Sequence, residues 1–153
     1  MNSPLIALPS QLVAAAQDLR LAREGLAHTL AFVREQARPW ALSGLAQAVD
    51  DPYIIAKIGD LQLRIDVADA LYERADTWVG TPAETLVATA EAVIASADAL
   101  QAVGNVQQEL TGSRAAQPVL AGREPLRWQY QIIGNVRLNG VQPPQLKESP
   151  DAP

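Results

Sequence analysis

Cysteine is absent from this 153-residue chain, and histidine occurs once, at His28. The first absence excludes disulfides and thiolate metal sites, and the two together leave no ordinary donor set for zinc or iron. Aromatic residues make up only 5% of the chain, so its core must rest on aliphatic side chains and closely packed backbones. No run of like charges marks a tail of either sign, and twelve Lys and Arg against seventeen Asp and Glu give a net charge of −5. Nucleic-acid binders carry a basic patch or stripe, so this balance argues against that class. No apolar run approaches the ~18 residues of a membrane span, and the N-terminus lacks the basic-then-apolar layout of a signal peptide. A cytoplasmic protein without a membrane partner is expected. The glycines at Gly112, Gly122 and Gly134 are isolated and follow no strand pattern, which excludes a phosphate loop.

What is present is helical pattern. Hydrophobic residues form 48% of the chain, much of it alanine, and the length fits one domain that would bury roughly 70% of its unfolded surface. The most informative stretch runs from Asp51 to Tyr72. It opens with an Asp N-cap and Pro52 at the first helical position. Ile54, Ile58, Leu61, Ile65, Ala68 and Tyr72 then recur in steps of four and three, on one helical face. Leu63, Val67, Ala70 and Leu71 fall on another. A helix apolar on two sides belongs inside a bundle.

The other elements follow from start and stop signals. Residues 1–9, with Pro4 and Pro9, form a lead-in. Ser10 can cap a helix running to about Arg38, where Pro39 stops it. Leu12, Leu19, Leu26, Leu30 and Val33 line one face, with Ala16 and Ala22 as fillers. The apolar connection from Pro39 to Val49 has room for one short helical turn under Trp40. The central helix then runs from Asp51 to about Trp78, ended by Gly80. Thr81-Pro82-Ala83-Glu84 is a capping box, and its helix reaches about Leu110, with Thr111-Gly112 closing it. After a loop over residues 113–123, a short helix starts at Pro125 with Leu126, Tyr130 and Ile133 on one side. Residues 142–153 are Pro-rich and polar, the composition of a disordered tail. The fold class expected is all-α: an antiparallel bundle of three long helices, plus a short C-terminal one, over residues 10–141. Three long helices leave a fourth position beside the central one, to be filled by another chain or segment.

Catalytic groups are scarce. His28 has no partner positioned by the sequence and reads as an exposed helix residue. Asp69 and Glu73, four apart, have a spacing that could hold a metal, but the carboxylates of this helix alternate with Lys57, Arg64 and Arg74, as a solvated, salt-bridged face does. Trp128, Tyr130 and Tyr72 read as core aromatics. Arg34 and Arg38 suit the negative end of the first helix, and a bound phosphate would use the same charges.

Three segments together resemble the C-terminal helical domain of the acyl-CoA dehydrogenase superfamily. They are Leu30-Ala-Phe-Val-Arg-Glu-Gln-Ala-Arg-Pro-Trp40, then Asp51 to Arg64 with Ala70-Leu-Tyr-Glu-Arg-Ala75, and Glu124 to Pro144. Within the superfamily they are most similar to the flavin-dependent branch of sulfur-acquisition oxidoreductases and dibenzothiophene-type monooxygenases, in order and spacing over about residues 10–144. The resemblance implies an FAD or FMN cofactor held between a middle β-domain, this bundle and a neighbouring subunit's bundle. It also implies a homo-oligomer, or pairing with a full-length relative, through the helices.

By the same resemblance, Arg34, Arg38, Trp40 and Arg114 are the candidate cofactor-binding residues, and no catalytic or metal-binding residue is assigned. The chain departs from the family at Gln36, where a flavin-pyrophosphate arginine is expected four residues after Phe32. It departs again at Arg123, where a histidine would precede the acidic residue and proline. Arg114-Ala-Ala-Gln117 is what stands for an Arg-Asn-Ala-Arg-like run. The expectation is a truncated C-terminal oligomerisation and flavin-pocket domain, not catalytic alone; the alternative is a non-catalytic self-association or partner-binding module.

Overall fold

The computed structural model describes residues 8–141; the expected tail from residue 142 and residues 1–7 of the expected lead-in lie outside them, and α1 already begins at Leu8, before the expected cap at Ser10. Four helices, α1 (Leu8–Glu35), α2 (Pro52–Thr77), α3 (Pro82–Thr111) and α4 (Leu126–Asn139), make an all-α bundle with no strand among the described residues. The three long helices alternate in direction, as expected. Tyr53, Arg64 and Arg74 of α2 meet Glu109, Asp98 and Glu91 of α3, so positions rise in one helix as they fall in the other. α1 runs parallel to α3: its Leu12 packs against the cluster containing Ala88 and Ala92, and Gly25 faces Val103 and Gln107.

Local chemistry sets most of the boundaries. The Asp51 side chain accepts from the Tyr53 amide at 2.9 Å, with Pro52 beginning α2. Thr81 and Glu84 exchange both bonds of the capping box at 3.3 and 3.0 Å. Gly112 closes α3 in the left-handed conformation that a residue with a Cβ resists. α1 ends at Glu35, three residues before Arg38. The amides of Gln36 and Ala37 both turn back to the Phe32 carbonyl, because the residue before Pro39 is disfavoured in a helix. α2 ends at Thr77 with Trp78 as its C-cap, within a residue of the expected end and before Gly80 is reached. Gly80 serves close approach instead: a Cβ there would lie 2.4 Å from the Trp78 indole nitrogen.

The interior helix is α3, which corrects the assignment of that role to α2. Leu86, Val87, Ala88, Thr89 and Ala90 are all buried, and five consecutive residues turn through more than a full circle, so neighbours cover α3 on every side there. α1, α2 and α4 all pack on it. α2 buries only its first apolar face, at Leu61, Ile65 and Ala68, while Leu63 and Val67 stay 62% and 48% exposed. The sequence pattern weighted large side chains, and α3 wins the centre with small ones. The most apolar eighteen-residue window of α3 has a mean hydropathy of 1.4, matching a membrane span by length and composition, and 61% of it is buried within the bundle.

Two further expectations shift. A single 3-10 turn does form, at Ala48–Asp50 with Ala48 buried, but Trp40 is 70% exposed and does not cover it. α4 packs Ile132, Ile133 and Val136 against Leu86, Val87 and Ala90, leaving Tyr130 60% exposed. The polar face of α2 is the salt-bridged surface expected. Arg64 spans Asp60 at 2.9 Å and Asp98 of α3 at 2.7 Å, and Asp69 is taken by Arg23 of α1. Glu109 accepts a hydrogen bond from the Tyr53 hydroxyl and raises the phenol above its ordinary pKa.

The glycines Gly25 and Gly59 test this packing in opposite directions. A Cβ at Gly25 would meet Val103 Cγ1 at 2.7 Å, whereas nothing lies within 4 Å of one at Gly59. Gly25→Ala should destabilise by roughly 1–3 kcal/mol despite the better helix former, and Gly59→Ala should stabilise by about 0.5–1 kcal/mol. Chemical denaturation of the two variants checks both signs.

Candidate functional site

A cavity of about 620 Å³ opens between the first half of α1, the second half of α3 and the return segment that leads into α4. Its α1 wall is a stripe of Gln11, Ala14 and Asp18, spaced three and four apart and therefore on one face. Its α3 wall changes along the helix, from Val93, Ala97 and Leu100 to Gln101, Asn105 and Gln108. The third wall includes Arg114, Pro118, Leu120, Arg123 and Glu124.

The return segment is built to lie back along α1 and α3. After Gly112, the Thr111 hydroxyl bonds the Gln107 carbonyl and Ser113, both at 2.7 Å, which turns the chain. Ala115 then settles over Gly104, whose missing side chain gives it room: a Cβ there would lie 3.6 Å from that of Ala115. Gly122 takes a left-handed φ of 79° just before Arg123.

Arg123 fastens this wall to α1. Its Nη1 donates to Asp18 Oδ2 at 2.7 Å, its Nη2 donates to Gln17 Oε1 at 2.8 Å and the Ala14 carbonyl at 3.4 Å, and its Nε donates to the Val119 carbonyl at 2.8 Å. The Asp18 side chain is 1% exposed and that of Arg123 17%, so this is a buried ion pair completed by neutral acceptors. Beside it, buried Glu124 accepts from the Gln129 amide at 2.7 Å. This carboxylate, just before α4, is thus held by a side chain of that helix. Two atoms of the α1 stripe, Gln11 Nε2 and Asp18 Oδ1, are buried with no hydrogen-bond partner among the described residues.

Of the four candidate cofactor-binding residues, only Arg114 lines the cavity. Arg34 sits in the last turn of α1, sixteen residues beyond Asp18 and so roughly 24 Å along the helix. Arg38 and Trp40 follow it on the connection to α2. All four are exposed. Arg34, Arg38 and Arg114 form no ion pair among the described residues. No group of three or more His, Asp or Glu with metal-binding proximity occurs among those residues, and His28 is exposed. Sequence reasoning missed Gln11 and Asp18. The signal was an amide and a carboxylate falling in register with the apolar stripe of α1.

Comparison with known proteins places this fold. The chain is 42% identical over 60 residues to the dibenzothiophene monooxygenase of Mycolicibacterium goodii, a segment covering 39% of this chain and 14% of that protein. It is 36% identical over 72 residues to the dibenzothiophene monooxygenase of Rhodococcus erythropolis, covering 47% of this chain and 17% of the relative. No family model matches the chain. Among solved structures, TdsC from Paenibacillus sp. A11-2, a dibenzothiophene monooxygenase, superposes with a TM-score of 0.71 at 24% identity. The match covers 87% of this chain and 40% of TdsC. The same protein solved with FMN and indole gives a TM-score of 0.72. The bundle is thus similar in sequence to part of the dibenzothiophene monooxygenases and in fold to part of TdsC, the branch to which its three motifs pointed.

The Arg123–Asp18 pair and the exposed Arg23–Asp69 pair should behave differently when broken. Asp18→Ala leaves a buried guanidinium without its counter-charge and should cost about 3–5 kcal/mol, whereas Asp69→Ala should cost about 1 kcal/mol or less. Urea denaturation of both variants measures the contrast.

Proposed function

We propose that this bundle works as the C-terminal domain of a flavin-dependent monooxygenase of the dibenzothiophene type, supplying one wall of an FMN pocket and the surface through which subunits associate. The observation that supports this most is that part of the sequence is similar to dibenzothiophene monooxygenases while 87% of the chain superposes on FMN-bound TdsC. The chain spans about 40% of TdsC, so the proposal concerns a part of such an enzyme.

The residues present fit a flavin in part. Arg34 and Arg38, with Arg114 beyond the end of α3, offer exposed cations suited to a phosphate, and the exposed Trp40 indole offers a flat apolar face. Arg123 does not join them, because its guanidinium is occupied by Asp18 and Gln17. These groups form a surface and do not enclose a ring, which is why the reading assigns this chain one wall only. When bound, the flavin supplies the redox chemistry. The side chains here contribute charge, orientation and exclusion of water from one side.

The second reading, a self-association module that does not turn over substrate, draws on the outer face of α2. Ala56, Gly59, Leu63, Val67 and Ala70 are all exposed along one stripe. An apolar stripe of this kind suits a second copy of the bundle.

Two measurements separate the readings. FMN fluorescence should be quenched saturably by the chain, and Arg34→Gln/Arg38→Gln should weaken binding by about tenfold; a flat titration with both proteins overturns the flavin reading. Sedimentation velocity should show association by the wild type and a monomer for Leu63→Glu/Val67→Glu with unchanged helix content. A wild-type monomer at every concentration removes the second reading and the association half of the first, leaving only the flavin wall.

A further inference from the structure

We propose that the return segment over residues 113–122 is a hinged strap, and that the Arg123 side chain is the clasp that holds it shut over the cavity. The inference rests on contacts made within this chain and is independent of the flavin reading.

The segment's backbone has little hold on the bundle. Among the described residues its backbone–backbone hydrogen bonding is internal, from the Arg123 amide to the Leu120 carbonyl at 3.2 Å, and no helix backbone group pairs with it. From Ala116 to Gly122 every residue but the half-buried Pro118 is exposed. Ala115 is buried on Gly104, but one methyl group removes little apolar surface from water. The Gln107 amide reaches the Ser113 hydroxyl only at 3.5 Å. Each end of the segment carries a glycine in the left-handed region, Gly112 at φ 75° and Gly122 at φ 79°. Glycine moves between backbone regions at the least steric cost, which suits a hinge.

Closure therefore falls on one side chain. The Arg123 backbone stands beyond the second glycine, beside Glu124, whose carboxylate is fixed by Gln129 of α4. From that root the guanidinium divides its donors. Nε grips the strap at the Val119 carbonyl, while Nη1 and Nη2 grip α1 at Asp18, Gln17 and Ala14. Charge-assisted bonds to a carboxylate that is 1% exposed are the strong ones in this set. When the guanidinium leaves α1, the strap loses its tie to that helix, and Pro118 and Leu120 leave the cavity wall with it. The cavity is a space that this chain can open and shut.

A buried thiol reads such opening, and the absence of native cysteine makes the reading specific. Ala115→Cys places a thiol beneath the strap. Val103→Cys places one in the core, at a position 0% exposed. With a disulfide-exchange reagent in native buffer, Ala115→Cys should react at least about tenfold faster than Val103→Cys and with little dependence on urea. In the Ala115→Cys chain, Arg123→Gln should speed labelling by at least about tenfold. Arg123→Lys keeps the charge without the fork and should fall between. Equal rates and equal urea dependence for the two thiols overturn the strap, and a rate unmoved by Arg123→Gln overturns the clasp. Circular dichroism verifies folding. If Ala115→Cys or its Arg123→Gln form does not fold, nitroxides on Leu120→Cys and Val13→Cys, at positions 73% and 68% exposed, decide. A distance distribution broadened by Arg123→Lys supports the proposal, and an unchanged narrow one overturns it.

Discussion

A helix rich in buried alanine sets the geometry of this bundle. Ala88, Ala90, Ala92 and Ala99 of α3 are each 0–1% exposed, and small residues at a contact bring helix axes toward the near end of the usual 8–10 Å. Three neighbours can therefore share one short circumference. The cost is that each alanine removes little apolar surface from water. Cohesion falls instead on the few larger residues that reach across, Leu19, Leu26, Leu61, Ile65, Leu100 and Val103. The Gly25–Val103 approach belongs to the same economy, since α1 comes too near α3 there for even a methyl group.

That closeness also explains where the cavity lies. α1 and α3 are parallel, so the chain leaving α3 must travel back along both before it can begin α4. Gly104 and Ala115 let the return segment start close to α3, and Arg123 fastens its far end to α1. Between those two attachments the segment bridges space that no side chain fills. The guanidinium does structural work at a position where the related motif led one to expect a histidine.

Much of the architecture was legible in the sequence because it is written in short-range chemistry. Asp51-Pro52, Thr81-Pro82-Ala83-Glu84 and Gly112 each announce a helix end through a local hydrogen bond or a backbone preference, and each is found in that role. The fold class and the motif resemblance were legible for the same reason. What the pattern did not carry was spatial order. Two apolar faces on α2 suggested an interior helix, yet small alanines decided that α3 takes the centre, and one-dimensional hydrophobicity ranks alanine low. On α4 the apolar residues are too few to fix rotation, and the knob at Ile132, next to buried Gln129, won over Tyr130. For the site, Arg114 was found through its motif. Gln11 and Asp18 became visible only when a segment about a hundred residues away folded against them.

The Arg123–Asp18 bridge joins residues 105 positions apart, which gives it a place in time as well as in space. Loop-closure entropy opposes so long a contact until intervening elements have already brought its ends together. The hairpin-like neighbours α1–α2 and α2–α3 have shorter excursions to make and can assemble first. A contact that closes so long a loop is expected to form after the barrier to folding, and one made that late slows the escape of the finished molecule while leaving the speed of its assembly nearly untouched.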